Sequence, residues 1–179
     1  MLPLHVFEDR YRVLVRERRE FGVVLIREGR DVGGEPLINE VGTVAEVAEL
    51  EELPDGRFAV LCHGGRRFRI RGLDRSRPYL VAEVEYLPAA APAPPSLVAA
   101  LGRYLAVMGV DVTLRPSTEM NAELTWLAGS ILQVEPSKLE ALLESGDPRL
   151  AEALLSEEAA RMRRMGLNRS LHPNLPSPN

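Results

Sequence analysis

The stretch that decides the fold runs from Val41 to Leu87 and reads VGTVAEVAELEELPDGRFAVLCHGGRRFRIRGLDRSRPYLVAEVEYL. Its β-branched and aromatic runs alternate with polar residues, a pattern typical of antiparallel strands with one buried face. Pro54-Asp55-Gly56 predicts a tight turn, because Pro fixes φ and Gly accepts a positive φ. Gly64-Gly65 predicts a bulge or a second turn. We therefore predict at least three consecutive antiparallel strands that curl into a barrel or half-barrel.

The residues ahead of this stretch predict a helix between two short β-type segments. Pro3–Val6 suits a strand end or a loop, and Phe21–Ile26 is rich in strand-forming residues. Phe7–Arg19 predicts a helix with acidic residues in its first turn and basic residues in its last. Its apolar stripe, at spacings of four, three and one, consists of Phe7, Tyr11, Leu14 and Val15.

The residues after the stretch predict a separate helical part. Pro88–Pro95 reads PAAAPAPP, and four prolines in eight residues favour an extended, stiff linker. The predicted organisation is a β subdomain at 1–87, this linker at 88–95, a helical bundle at 96–166 and a mobile tail at 167–179. We therefore assign the α+β class: an antiparallel β pseudo-barrel with a helix inserted near its start, followed by an α-helical bundle.

Four helices are expected in the bundle. Ser96 is a candidate cap for a helix that ends near Met108, and Ser117 or Thr118 for the next, whose stripe includes Met120, Leu124, Leu127 and Ile131. Pro136 begins a short helix closed by Gly146. Asp147-Pro148 begins the last helix, which is expected to end near Met165 with Gly166 as its stop and a stripe of Leu150, Leu154, Leu155, Met162 and Met165.

The composition excludes several classes of function. A net charge of −4 argues against a general nucleic-acid binder, which carries a basic surplus. Cys62 is the single cysteine, so no intrachain disulfide can form. No apolar run reaches ~20 residues, which argues against a membrane-spanning helix. The start lacks the pattern of a secretory signal, so we expect a cytoplasmic location.

An ordered set of sequence blocks resembles the amino-terminal, substrate-binding domain of Lon-type ATP-dependent proteases, which also occurs as a free-standing protein. The blocks are spread over nearly the whole chain up to about Met165, and their order makes the match specific. They are Pro3–Tyr11 (PLHVFEDRY), Val41–Val47 (VGTVAEV), Pro54–Arg57 (PDGR), Gly64 with Arg67–Ile70 (RFRI), and Pro78–Val84 (PYLVAEV).

The resemblance implies a PUA-like β pseudo-barrel followed by helices, in a bacterial protein related to proteolysis. It implies recognition of unfolded or extended polypeptide in protein quality control, with a separate ATP-dependent protease as a further partner and no cofactor. The family's chemistry lies in ATPase and Ser-Lys peptidase modules. This sequence has no G-x-x-x-x-G-K-[ST] phosphate loop, and the sole lysine, Lys138, neighbours Ser137 on a predicted helix where adjacent side chains diverge. We therefore expect no enzymatic activity.

One departure from the family concerns the start of the chain. Family members generally carry a PLFPL-like segment ahead of the block that begins here at Pro3. The expectation is either a start farther upstream or a barrel that lacks one strand. A missing strand would leave an open sheet edge, which favours a homodimer or pairing with another polypeptide.

Five aromatic residues are the candidate peptide-binding or interface positions: Phe7, Tyr11, Phe68, Tyr79 and Trp126. The first four belong to the family blocks, where they either lock the first helix onto the sheet or line a peptide groove. Burial is the commoner fate of patterned aromatics, so we expect them in the core. Trp126 lies one position off a helical stripe and is either an interface anchor or a satellite of the core.

Three further groups of residues have simpler explanations than a site. Six arginines fall within residues 66–77, which could form a patch for anions or nucleic acid. Overall acidity instead favours a solvated strand face paired across the sheet with Glu83, Glu85 and the acids near Glu46–Glu52. Cys62 and His63 are strand neighbours that point to opposite faces, so a thiol nucleophile with its base is not expected. The three histidines lack metal-ligand spacing, and we predict no metal site.

Two other functions remain open from the sequence. One is a small-molecule-binding regulatory domain, which would need a deep pocket with convergent polar groups. The other is a homodimeric assembly module that joins through the open sheet edge.

Overall fold

The structure is a computed structural model, and it describes residues 1–29, 36–110 and 123–166. The chain divides into two compact units, Met1–Ala89 and Ala90–Asn179. We describe each unit by itself and call them the β unit and the helical unit.

The β unit is one antiparallel sheet with a single helix. Its elements are β1 (Leu2–Val6), α1 (Asp9–Glu17), β2 (Glu20–Glu28), β3 (Leu37–Glu52), β4 (Phe58–Asp74) and β5 (Val81–Tyr86). The strands follow the order β1-β4-β3-β2, and β5 also pairs with β4. Within the described residues β1 and β2 do not pair with each other, so the sheet is open rather than a closed barrel. The predicted α+β class is confirmed.

Strand β4 is continuous through Gly64-Gly65, so the alternative of a second turn there is wrong. The pairing with β3 shifts at this point: Thr43 lies opposite Arg67, while Ala45 lies opposite Gly64. Three residues of β4 (from 64 to 67) thus span the same length as two residues of β3 (from 43 to 45), and the extra residue on β4 defines a β-bulge. The bulge alternative is therefore the right one.

The core of the β unit lies between the sheet and α1. Val15 of α1 packs there with Ala45, Phe58, Val60 and Cys62. Helix α1 begins at Asp9, two residues later than predicted, because the backbone of its N-cap Glu8 is extended. Phe7 therefore lies outside the helix, and of the predicted stripe only Val15 is fully buried.

The helical unit contains α2 (Pro95–Val107), α3 (Glu123–Ile131), α4 (Pro136–Ser145) and α5 (Pro148–Arg164). The predicted stops at Gly146 and Gly166 are confirmed, since both have positive φ, 61° and 65°. Asp147 caps α5 by accepting a hydrogen bond from the amide of Arg149 at 2.8 Å. Ser96 is not the cap of α2, which follows Pro94; its hydroxyl donates to Glu152 instead, at 2.7 Å.

The core of the helical unit is formed mainly by α2 and α5. Tyr104 and Leu155 are among its fully buried side chains, and the Tyr104 hydroxyl donates to the carbonyl of Ile131 at 3.2 Å. Two members of the predicted stripes are exposed instead: Leu127 at 40%, and Met165 at 60%, because it lies beyond the last turn of α5. The predictions for Met120, for a helix start at Ser117 or Thr118, and for the tail fall outside the described residues.

Helices long and apolar enough to cross a membrane are absent from the described ranges.

Candidate functional site

Phe68 is a packing residue that depends on two glycines in the neighbouring strands. It is 3% exposed. A Cβ at Gly42 would lie 2.7 Å from the tip of the Phe68 ring, and one at Gly22 would lie 2.8 Å from it. The ring therefore fits over the sheet only because neither position carries a side chain.

Tyr79 ties the segment before β5 to the end of α1. Its ring is 5% exposed, and its hydroxyl donates to Oε2 of Glu17 at 2.7 Å. Arg77 lies 3.5 Å from the same carboxylate oxygen. This contact joins residues far apart in sequence and fixes the carboxy-terminal end of the helix.

Phe7 and Tyr11 lie on the surface, at 51% and 39% exposure. The guanidinium of Arg10 lies 4.7 Å from the centre of the Tyr11 ring. The expectation of burial therefore holds for Phe68 and Tyr79 but is wrong for Phe7 and Tyr11. The late start of α1 is the reason for Phe7, because a residue ahead of the first turn does not follow the stripe of the helix.

Trp126 lies in the helical unit, whereas the other four predicted positions lie in the β unit. It is half-buried in α3, between the fully buried Thr125 and the exposed Leu127. This partial exposure fits both of the interpretations made from the sequence.

The outward face of the sheet near β1 carries residues that sequence reasoning did not single out. Side chains alternate along β4, so Phe58, Val60 and Cys62 face the core while Ala59 and Leu61 face away from it. The register places Pro3 of β1 and Glu49 of β3 on either side of Leu61. In the same way, His5 and Glu51 flank Ala59.

These residues form a shallow concavity of about 190 Å³, which we call the trough. It is lined by Pro3, Leu4, Glu49, Glu51, Ala59, Val60 and Leu61. Both glutamates are exposed, and their carboxylates make no ion pair or hydrogen bond within the described residues. The trough thus combines an apolar floor with an acidic rim.

An unpaired strand edge borders the trough. In the described part of the chain β1 pairs with β4 alone, so its other edge offers main-chain N–H and C=O groups to another polypeptide. Leu2 on this strand is 41% exposed. The alternation of Glu49, Leu50 and Glu51 was visible in the sequence, but the pairing that places β1 across β4 from them was not.

The arginine-rich part of β4 is largely a paired strand face. Arg71 donates to Glu85, and Arg69 lies 3.8 Å from Glu40. Arg66 instead stacks over the ring of Tyr86, with its guanidinium carbon 3.6 Å from the ring centre. The predicted pairing with these glutamates is therefore confirmed for Arg71, whereas the partner of Arg69 is Glu40, outside the predicted set.

Arg67 departs from that interpretation because it is 7% exposed rather than solvated. The bulge brings it opposite Thr43, on the strand face that also carries the buried Val41. Its guanidinium donates to the carbonyl of Pro88, and burial lowers the pKa of Arg67 from its ordinary value. Arg67 therefore anchors the end of the β unit and is not available to an external anion.

Cys62 and His63 do not form a catalytic pair. Cys62 is fully buried on the core face, and burial raises the pKa of its thiol, which keeps the thiol protonated. His63 is exposed and lies opposite Glu46. No group of three potential metal ligands is found within residues 1–29, 36–110 and 123–166.

Helix α5 carries a buried carboxylate, paired with a half-exposed arginine, that sequence reasoning missed. Glu158 is 4% exposed and accepts two hydrogen bonds from Arg161, one of them at 2.7 Å from Nε. These hydrogen bonds hold the pKa of Glu158 below its ordinary value. The spacing of three residues on one helix was the available signal. We assign the pair a structural role within α5.

Comparison with known proteins identifies relatives of the whole fold. A family model described as the ATP-dependent protease La (LON) substrate-binding domain matches residues 1–156. The Lon protease of Desulfovibrio desulfuricans is 32% identical over 165 residues, which cover 83% of this chain and 19% of that protein. The Lon protease of Escherichia coli is 35% identical over 68 residues, 36% of this chain and 9% of that protein. The chain thus spans about a fifth or less of the length of these relatives.

Two solved structures share the fold. The Lon N-terminal domain protein from Xanthomonas campestris is 26% identical, with a TM-score of 0.62 over 87% of this chain and 88% of that one. The N-terminal domain of the Mycobacterium avium complex Lon protease is 14% identical, with a TM-score of 0.53 over 89% and 90% of the two chains. At that identity the second match supports the fold alone.

Proposed function

This chain belongs to the family of ATP-dependent protease La (LON) substrate-binding domains, and we propose that it is a non-catalytic module that binds unfolded or extended polypeptide segments. The match over residues 1–156 carries the proposal, because it covers the β unit and most of the helical unit and corresponds to the part of a Lon protease that is named for substrate binding. The bound segments would pass to a separate ATP-dependent protease.

The edge of β1 supports a specific mode of binding. An extended segment can add to this edge as a further strand, with main-chain hydrogen bonds that do not depend on its sequence. The exposed side chains of Leu2 and Phe7 would supply apolar contacts beside that strand. Such binding tolerates many sequences, and the lost conformational entropy of the segment keeps its affinity modest.

The predicted aromatic positions then divide by their accessibility. Phe7 and Tyr11 are the members of the β unit that a partner can reach, and we assign contact with the segment to them. Phe68 and Tyr79 would shape the sheet beneath the contact surface without touching a partner. Trp126 would be an anchor in the helical unit, since half-buried Trp residues are frequent at binding surfaces.

The test is a titration of the full chain into a fluorescently labelled, permanently unfolded protein, for example reduced and carboxymethylated α-lactalbumin. We expect a saturable rise in anisotropy with a dissociation constant on the order of micromolar, the usual range when a disordered segment orders on binding. Native α-lactalbumin with its disulfides intact is the matched control and should not bind. Equal binding of both forms, or of neither, would refute the proposed function.

A further inference from the structure

We infer that the trough selects, among extended segments, those in which an apolar residue is flanked by Lys or Arg. This inference rests on the proposed function and names the substrate class of the same β unit. It is carried by the apolar floor around Leu61, the two rim carboxylates of Glu49 and Glu51, and the register that joins them.

The spacing of the trough matches that of an extended chain. Leu61 and Glu49 are direct cross-strand partners, so their Cβ atoms lie roughly 5 Å apart. Glu49 and Glu51 are two residues apart on one strand, roughly 7 Å, which is the repeat of any extended segment. An apolar side chain resting on Leu61 therefore places a neighbouring basic side chain within reach of a rim carboxylate.

The rim of the trough is acidic along β3. Glu46 continues the acidic row along β3, and it lies opposite His63. The facing positions on β4 and β1 are Ala59, Leu61, Pro3 and His5, so neither of these two strands brings a Lys or Arg to this part of the face. Carboxylates without an internal cation attract a cationic partner and repel an acidic one.

Three arginines of the chain itself are already engaged elsewhere. In the β unit Arg69, Arg71 and Arg77 already pair with Glu40, Glu85 and Glu17. Seating them in the trough of a second copy would break these pairs. The occupant we propose is an external extended segment, in keeping with the proposed function, and a second copy of the chain is left to the test below.

Three labelled peptides of equal length test the inference. Each carries the same Leu and Val residues, flanked by Arg in the first, Gln in the second and Glu in the third. We expect the full chain to bind the Arg peptide about five- to tenfold more tightly than the Gln peptide, as two exposed ion pairs allow, and the Glu peptide more weakly than either. The preference should shrink when the salt concentration rises from 50 to 300 mM.

Two double variants test whether Glu49 and Glu51 cause the preference for the Arg peptide. The double variant Glu49→Gln/Glu51→Gln should bind the Arg and Gln peptides equally, with its affinity for the Gln peptide unchanged. The control Glu28→Gln/Glu83→Gln removes two exposed charges of the same unit outside the trough and should keep the preference. Unfolding of both variants by urea checks that the fold is intact.

The outcomes separate this inference from the proposed function. An Arg preference that survives in Glu49→Gln/Glu51→Gln overturns the inference and leaves the proposed function standing. If none of the three peptides nor the unfolded protein binds, both fall. Analytical ultracentrifugation of the chain alone tests whether a second copy occupies the trough. A dimer that Glu49→Gln/Glu51→Gln abolishes, and that the Arg peptide does not dissociate, would assign the trough to a second copy. That outcome would overturn the inference.

Discussion

The helical unit leaves few of its described large apolar side chains exposed, whereas the β unit leaves many of them exposed. The helical unit buries fifteen described residues in one cluster, whereas the cluster between α1 and the sheet of the β unit holds five. Of the twelve large apolar side chains exposed within the described residues, ten lie in the β unit and only Leu127 and Met165 in the helical unit. The smaller core thus accompanies the larger exposed apolar surface.

This difference follows from the geometry of the elements. Helices α2 and α5 each carry an apolar stripe, and when the stripes meet both are hidden. A sheet has two faces and two edges, and one helix covers part of one face only. The β unit therefore keeps the surface that a polypeptide could use, while the helical unit contributes a well-packed core. Substitutions in each unit test this contrast.

The largest effect is expected in the helical core. Leu155→Ala removes a fully buried side chain and should lower the free energy of unfolding by about 2–5 kcal/mol, because the lost contacts leave a cavity. Leu127→Ala removes the same atoms at a site that is 40% exposed and should cost less than about 1 kcal/mol. Urea unfolding followed by circular dichroism measures both, and equal losses would contradict the contrast.

A smaller loss is expected where the sheet is tightest. In Gly42→Ala the new Cβ would meet Val24 at 2.5 Å and the carbonyl of Val23 at 2.6 Å, besides Phe68. We expect a loss of about 1–3 kcal/mol from this overpacking.

Gly64→Ala is the matched control, because nothing lies within 4 Å of its new Cβ. It should be neutral or stabilise the unit by up to about 1 kcal/mol, since Ala restricts the unfolded chain. Thermal unfolding of both variants measures these changes in stability. A destabilised Gly64→Ala would show that the bulge requires glycine for another reason.

The third prediction concerns binding rather than stability. Phe7→Ser should weaken binding of the unfolded protein about fivefold, the effect of losing roughly 1 kcal/mol at an apolar contact. Its urea midpoint should barely change, since half of the side chain is already in water. Leu127→Ser, at a similar exposure in the helical unit, should leave the affinity intact. Equal losses in the two variants would show that Phe7 contributes no more to binding than an exposed leucine of the helical unit.

The smallest effect is a pH dependence within the helical unit. The folded-state pKa of Glu158 is lowered by Arg161, so the ionised pair stabilises the unit above the ordinary value of 4.5. That contribution is lost as the pH falls through the lowered folded-state pKa.

Urea midpoints measured from pH 6 to pH 3 should therefore fall less steeply in Glu158→Gln than in the wild type. Glu157→Gln removes a neighbouring charge that pairs with Lys138 and leaves the Glu158–Arg161 pair in place. It should keep the wild-type slope. Parallel curves for the wild type and Glu158→Gln would show that the pair adds nothing to acid sensitivity.

The features that the sequence predicts well are those fixed by local chemistry. Gly56 has a φ of 79°, as the Pro-Asp-Gly turn requires. The starts of α4 and α5 at Pro136 and Pro148 follow from the fixed φ of proline. Each of these features depends on only a few neighbouring residues, so it can be predicted from a single sequence.

The features that it misses depend on which strand pairs with which. The trough exists because β1 and β3 both pair with β4, one on each side, and no local pattern encodes that choice. Arg67 is buried because the bulge shifts its register, although its strand alternates regularly in sequence. Phe7 is exposed because the backbone at Glu8 is still extended, which an apolar stripe alone does not reveal. Tertiary pairing thus determines most of the candidate site.

Strands β1 and β5 pair with different parts of β4, and this arrangement affects how the β unit unfolds locally. Strand β1 pairs with residues 58–62 of this edge and β5 with residues 68–74, so no ladder bond of β1 is also a bond of β5. β1 can therefore detach as a separate cooperative segment while β5 stays in place. Amide hydrogens in the β1–β4 ladder should exchange with solvent sooner than those between β3 and β4. While β1 is detached, an incoming strand can pair with β4 in its place instead of adding to the edge of β1.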